Sequence, residues 1–146
     1  MSNQAKVKAF HQKYGDHIGE TLSIPPTKTI LAHSSYMLEE LSELVTSLHA
    51  GNLEKVVDGL ADLQYTVYGM AVACGLDLDL AMDAVHVSNM SKGPLDATGK
   101  GGKNVPEYRP PDLDTVIRIH RVQERMSVPT APCGLKHFGA CNLGCV

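Results

Sequence analysis

The sequence predicts an all-α fold, a helical hairpin bundle of four to five helices. Apolar residues recur at spacings of three and four over long stretches, which is typical of amphipathic helices. No stretch alternates apolar and polar residues over the length of a convincing strand. A single helical hairpin is too thin to bury the apolar stripes, so we expect oligomerisation to complete the bundle.

The first helix is predicted over residues 2–14, where Ser2 can cap the amino terminus. Residues 15–26 break the helical pattern and end in two prolines, which indicates a linker. The longest helical pattern then runs from residue 27 or 29 to residue 50. Its apolar side chains form one broad stripe, as expected of a helix that packs against a neighbour.

A tight turn follows the second helix. Gly51 is predicted to end that helix and Asn52 to cap the third, which covers residues 53–75. Helices two and three therefore form an antiparallel hairpin. A fourth helix is predicted over residues 77–92, a long loop over 93–111 and a last helix over 112–126; no further helix is predicted in the Gly- and Cys-rich tail.

The length of 146 residues indicates one domain, which we place at residues 1–126, followed by the tail at 127–146. A net charge of −3 does not predict nucleic-acid binding. No segment has the length of a membrane span, and the start of the chain lacks a signal-peptide core. We therefore expect a cytoplasmic protein without nucleic-acid or membrane partners.

The stretch MLEELSELV, residues 37–45, places three glutamates inside an apolar helix. Glu39, Glu40 and Glu43 are three and four residues apart, so they lie on one side of the helix, where like charges repel. The third helix carries a second acidic pair, Asp58 and Asp62. Because the hairpin turn folds the third helix back along the second, the two acidic groups are predicted to face each other.

Two interpretations of these carboxylates are open. A hard divalent cation such as Mg²⁺ favours oxygen ligands and keeps waters that phosphates can replace. Alternatively, the glutamates form a solvated acidic helix face. The second acidic pair, at the opposed position of the hairpin, favours the metal.

The acidic motifs resemble those of the all-α nucleoside triphosphate pyrophosphohydrolases. EELSE at 39–43, followed by an acidic pair that ends at Asp62, is similar to the EExxE…ExxD signature of that superfamily. The stretch from Asp58 to Gly93, with its HVSNMSKG ending, resembles the MazG-like and phosphoribosyl-ATP pyrophosphohydrolase-like branch. VKAFHQKYG near the start and YRPPDL at 108–113 are also similar, so the resemblance covers about residues 6–118.

The resemblance implies a Mg²⁺-dependent enzyme, with Mn²⁺ as a possible substitute, that cleaves nucleoside triphosphates between the α and β phosphates. The products are the monophosphate and pyrophosphate. It also implies a homodimer or a dimer of dimers. By motif position, the resemblance assigns the role of metal ligand to Glu39, Glu40, Glu43 and Asp62. Asp58 is a further candidate ligand. Glu40 is our candidate for the base that activates water, and Asn89 and Lys92 are expected to contact substrate.

One position departs from the signature. The glutamate of ExxD falls at Gly59, and the adjacent Asp58 is the residue that can take its place. Two other interpretations therefore stay open: a non-catalytic regulatory or interaction protein on the same scaffold, and an enzyme dedicated to phosphoribosyl-ATP or dUTP.

The loop and the tail offer further candidates. The loop is rich in glycine and carries Lys103 and Tyr108, which we expect to contact the triphosphate and the base. A solvated loop with ordinary charges is the alternative. In the tail, zinc-ligand residue types recur every four residues, but their wide spacing favours a free tail over a zinc site. These tail residues are Cys133, His137, Cys141 and Cys145. The remaining histidines, among them His11 and His33, are expected to be surface or packing residues.

Overall fold

A computed structural model describes residues 1–127 and shows five α-helices over that range. The helices are α1 (Asn3–Tyr14), α2 (Thr27–His49), α3 (Leu53–Cys74), α4 (Leu78–Met90) and α5 (Leu113–Ser127). The described range has no strand, and an isolated bridge pairs Leu95 with Gly101. The all-α prediction is confirmed.

Side-chain caps explain where several helices begin. The Ser2 hydroxyl accepts a hydrogen bond from the Ala5 amide at 3.2 Å, as its position predicts. The Asn52 side chain accepts from the Lys55 amide at 3.1 Å and starts α3 directly after the turn. The prediction for the end of α2 was one residue off, because Ala50 is the C-cap and Gly51 follows with φ of 65°.

The hairpin of α2 and α3 is held together by a close approach at Gly59. This residue is buried, and a Cβ atom added to it would lie 3.2 Å from both Cα and Cβ of Leu44. Leu44 is itself buried at 6% exposure. A glycine on α3 therefore lets the two helices pack more closely than a side chain would allow.

The linker between α1 and α2 folds back onto the end of α3. The Gly19 amide donates to the Val72 carbonyl at 3.0 Å, and the Ser23 amide donates to the Cys74 carbonyl at 3.0 Å. These bonds hold the linker against the end of α3. None of the helices in residues 1–127 combines the length and the apolar character needed to cross a membrane.

The hydrophobic core of the described chain is small. Its buried apolar residues are Val7, Leu44, Ala71, Val72, Ala73 and Val116. By contrast, large apolar side chains of the hairpin lie exposed, with Leu38 at 67% and Leu53 at 75%. One chain thus leaves much of the hairpin's apolar surface uncovered, which is the property from which we predict association.

Candidate active site

The five predicted acidic residues all project from the α2–α3 hairpin. Four of the side chains are exposed, and Glu40 is partly buried. The turn at Gly51 and Asn52 reverses the chain between the two groups, and the contact of Gly59 with Leu44 holds the helices close. The hairpin therefore carries acidic groups on both of its helices along the same stretch.

The electrostatics of Glu40 show that the two groups lie near each other. Partial desolvation raises the pKa of Glu40, and the next largest cause is the negative charge of Asp62 on the opposite helix. The remaining causes are the charges of Glu43, Glu39 and Asp58. The structure thus brings together the acidic residues that the sequence places on separate helices, around Glu40.

Asp58 differs from the other four because it has a cationic partner. Lys55 Nζ lies 3.1 Å from Asp58 Oδ2, one helical turn away, and both side chains are largely exposed. Within residues 1–127, no Lys, Arg or His nitrogen forms an ion pair with the other four carboxylates. The negative charge of the cluster is therefore only partly compensated by protein groups.

This donor set fits a hard divalent cation. All candidate ligand atoms are carboxylate oxygens, and the exposure of the cluster leaves room for the waters that Mg²⁺ retains. Among the described residues, these oxygens do not converge within 4.8 Å in groups of three, as expected of like charges that separate. The residues suited to hold the ion are the five predicted ones, Glu39, Glu40, Glu43, Asp58 and Asp62.

The structure gives a physical reason for the glycine at position 59, where the acidic signature has a glutamate. Gly59 lies in the interface between α2 and α3, against Leu44, and not on the exposed acidic side. Asp58, one residue earlier, is exposed and lies near Glu40. In this chain the glycine therefore serves helix packing, and Asp58 is the neighbouring carboxylate on the exposed side.

The predicted substrate-contacting residues gather at a second location, at the end of α4 and in the loop that follows it. Lys92 Nζ donates to Asn89 Oδ1 at 2.6 Å. Lys103 Nζ lies 5.9 Å from the centroid of the Tyr108 ring, within reach of a cation–π contact. Asn89, Lys92 and Lys103 line an open cleft of about 930 Å³.

Backbone hydrogen bonds organise this loop as a compact turn. The Gly93 amide donates to the Gly102 carbonyl at 2.8 Å, and the Asp96 amide donates to the Lys100 carbonyl at 2.9 Å. The Asp96 carboxylate accepts from the hydroxyl and amide of Thr98 and from the Lys100 amide, and these bonds lower the pKa of Asp96. The turn also brings Lys100 into the same cleft.

The acidic residues do not contribute to the loop cleft of their own chain. None of the five acidic residues lines the cleft that holds Asn89, Lys92 and Lys103. Within one chain, the acidic residues and the predicted substrate-contacting residues thus lie on different elements, the former on α2 and α3 and the latter at the end of α4 and in the loop after it.

A third cluster was not predicted from the sequence. The side chains of His11, Asp16 and His33 offer ligand atoms that all lie within 4.8 Å of one another. Both histidines are 3% exposed, which agrees with the expectation that they are packing residues. Their convergence on Asp16 has no signal in local spacing, because α1, its end and α2 each contribute one residue. The predicted zinc-ligand types at 133–145 lie outside the described residues.

Comparisons with known proteins add family evidence to this geometry. The sequence model of the phosphoribosyl-ATP pyrophosphohydrolase family matches residues 7–89, from α1 to α4. This range contains all five acidic residues and Asn89, whereas Lys92, Lys103 and Tyr108 lie beyond it.

A 75-residue stretch is also similar to an uncharacterised protein of Acanthamoeba polyphaga mimivirus, at 32% identity. The stretch is 51% of this chain but only 26% of that relative's length. The family match supports a hydrolase acting on pyrophosphate bonds. Because the family model covers more than half of the chain, this protein belongs to the phosphoribosyl-ATP pyrophosphohydrolase family.

Proposed function

We propose that the protein is a Mg²⁺-dependent nucleotide pyrophosphohydrolase that cleaves (d)NTPs between the α and β phosphates. The observation that carries this proposal is the acidic cluster around Glu40, where two helices bring carboxylates together with little cationic compensation. The reaction yields a nucleoside monophosphate and pyrophosphate. Nucleotide substrates agree with the cytoplasmic location that we predict.

The acidic residues divide into two roles. Mg²⁺, when bound, neutralises phosphate charge and orients the reacting groups. Glu39, Glu43, Asp58 and Asp62 hold the ion through hard oxygen donors that also accept Mn²⁺. Glu40 accepts the proton of the attacking water, because it is the least exposed of the five carboxylates and lies among the other four.

The loop cleft supplies the positive charge that the acidic cluster lacks. Lys92 and Lys103 bind phosphate oxygens, and Asn89 orients Lys92 through their hydrogen bond. Tyr108, whose ring lies near Lys103, stacks on the nucleobase.

We further propose that two copies of the chain complete the active site, in a homodimer or a dimer of dimers. The separation of the acidic cluster from the loop cleft supports this arrangement, since one substrate must reach both. The exposed apolar side chains of α2 and α3, such as Leu38 and Leu53, supply surface for the association.

The activity is tested by pyrophosphate release from each NTP and dNTP with Mg²⁺, alongside reactions with EDTA. Phosphoribosyl-ATP and dUTP belong in the same panel, because the matched family is named for the former. We expect release that requires the metal. No release from any substrate by the folded protein would overturn the proposal in favour of the non-catalytic interpretation.

The shared site is tested by complementation. One inactive variant carries Asp62→Asn, and the other carries Lys92→Ala and Lys103→Ala. If each site combines the acidic cluster of one subunit with the loop of its partner, mixed dimers contain one intact site, and co-refolding restores activity to about a quarter of the parent level. No recovery, with mixed dimers present, would show that each chain supplies its own loop.

A further inference from the structure

The cluster of His11, Asp16 and His33 lies apart from both parts of the proposed active site. His11 belongs to α1, Asp16 follows the Gly15 that ends this helix, and His33 lies on α2. Asp16 Oδ2 is 3.9 Å from His11 Nε2 and 3.6 Å from His33 Nε2. The two imidazole rings stack with centroids 5.3 Å apart. Three side chains thus converge with one donor atom each.

A hydrogen bond outside the cluster orients His11. Its Nδ1 lies 2.8 Å from the carbonyl oxygen of His17, which can only accept, so Nδ1 carries the proton. The lone pair of the neutral ring is then on Nε2, which faces Asp16 and His33. A backbone carbonyl that fixes the tautomer in this way is the usual second partner of a metal-binding histidine.

His33 presents a buried nitrogen without a partner. Among the described residues, His33 Nε2 is the buried side-chain polar atom that lacks a hydrogen bond. Its separation of 3.6 Å from Asp16 Oδ2 exceeds the usual hydrogen-bond range of about 2.7–3.2 Å. Buried nitrogens in native proteins normally have a partner, so this atom points to one that sits between the three side chains.

Gly69 of α3 makes room for both rings. A Cβ atom added there would lie 3.2 Å from His33 Nδ1 and 3.5 Å from His11 Nε2. The glycine therefore allows the imidazoles to lie against α3 with their Nε2 atoms directed at Asp16.

We propose that His11, Asp16 and His33 form a site for a divalent transition-metal ion of the Zn²⁺ class. Imidazole nitrogens with one carboxylate suit Zn²⁺, whereas Mg²⁺ prefers oxygen donors. Metal–ligand bonds of about 2.0–2.2 Å place tetrahedral donors about 3.3–3.5 Å apart. The two separations between Asp16 and the histidines, 3.9 and 3.6 Å, are therefore within a few tenths of an ångström of the spacing that a bound ion requires.

The site is partly open to solvent. The Asp16 side chain is 39% exposed, so water completes the coordination on that side. The bound ion links α1 to α2, two helices that approach each other through the stacked histidines. The ion thereby links α1 to the α2–α3 hairpin, which carries the acidic residues.

The test measures Zn²⁺ bound to the full chain by equilibrium dialysis, without any nucleotide. We expect His33→Gln to bind one equivalent less than the parent protein. His49→Gln is the matched control, because His49 is an exposed histidine on the same helix and retains the site. Equal zinc content in the parent and His33→Gln would overturn the proposal.

A second variant, Asp16→Asn, tests the site independently if His33→Gln misfolds. Asp16 Oδ1 accepts a hydrogen bond from the His17 amide at 2.7 Å. Asp16→Asn keeps an oxygen that can accept this bond, but it removes the negative charge of the carboxylate. We expect at least about tenfold weaker zinc binding. X-ray absorption at the zinc edge separates this site from the cysteines of the tail: nitrogen and oxygen neighbours support the proposal, and a sulfur-only shell overturns it. Because no readout depends on turnover, failure here is distinct from failure of the proposed hydrolysis.

Discussion

The acidic cluster on the hairpin and the separate cluster of His11, Asp16 and His33 bring donor atoms together in opposite ways. The acidic cluster collects exposed carboxylates whose charges repel, and it holds Glu40 at a raised pKa. The histidine cluster collects two imidazoles at 3% exposure around a single carboxylate. The first arrangement suits an ion that keeps several waters and exchanges substrate, and the second suits an ion held mainly by buried imidazole nitrogens.

The two clusters also differ in what they cost the free energy of folding when no ion is bound. In the acidic cluster the cost is electrostatic repulsion, which water screens because the side chains are exposed. In the histidine cluster the cost is a buried nitrogen without a partner. Substitutions in the two clusters should therefore affect different measurements.

The largest expected effect is on hydrolysis. Glu40→Gln removes the proposed base and should lower kcat by at least about 100-fold, with helicity unchanged. The assay is pyrophosphate release with Mg²⁺. Glu54→Gln is the matched control, since Glu54 lies in the first turn of α3, outside the proposed ligand set, and is exposed. Parent-level activity in Glu40→Gln would remove Glu40 from the mechanism.

Zinc should stabilise the fold through the histidine cluster alone. At a free Zn²⁺ concentration of 100 times the Kd, binding stabilises the native state by about 2.7 kcal/mol, seen as a rise in Tm. His33→Gln should lose the part of this rise that depends on the site, whereas Glu40→Gln should keep it. Loss of the rise in Glu40→Gln would place zinc at the acidic cluster instead.

Because Gly59 lies in the interface between α2 and α3, replacing it with a larger residue should reduce the stability of the fold. Gly59→Glu should destabilise the fold by about 1–3 kcal/mol, because its Cβ presses on Leu44. Urea unfolding provides the measurement, and Gln64→Glu adds the same charge to an exposed site of α3 as the control. A stable and more active Gly59→Glu protein would instead place position 59 on the acidic side.

The smallest expected effect is that of the Glu40 charge on the free energy of unfolding of the metal-free protein. A carboxyl whose pKa is raised by folding destabilises the native state where it is ionised. Glu40→Gln should therefore stabilise the metal-free protein at pH 7, by about 0.5 kcal/mol. The gain should disappear as the pH falls below the ordinary glutamate value of 4.5, where the parent side chain is protonated in both states. Thermal unfolding across this pH range tests it, and a gain that persists at pH 4 would contradict the electrostatic cause.

Much of the fold was predictable because its signals are local. Ser2 and Asn52 cap helices through hydrogen bonds within one turn, and the spacing of apolar residues marks the length of each helix. The opposition of the two acidic groups also follows from local information, because a short turn determines which residues of a hairpin face each other. The matched family range, residues 7–89, contains both acidic motifs.

Other features depended on contacts that local spacing does not encode. In the sequence, Gly59 stands out because an acidic motif has a glutamate at that position. The packing of α3 on α2 shows that Gly59 contacts Leu44. Likewise, His11, Asp16 and His33 come from three separate segments, and they meet because the linker after α1 bonds back to the end of α3. The sequence by itself determined the helices and the acidic hairpin, since those depend on neighbours in the chain. The tertiary structure decided which glycine and which histidines lie inside, since burial depends on how whole helices pack.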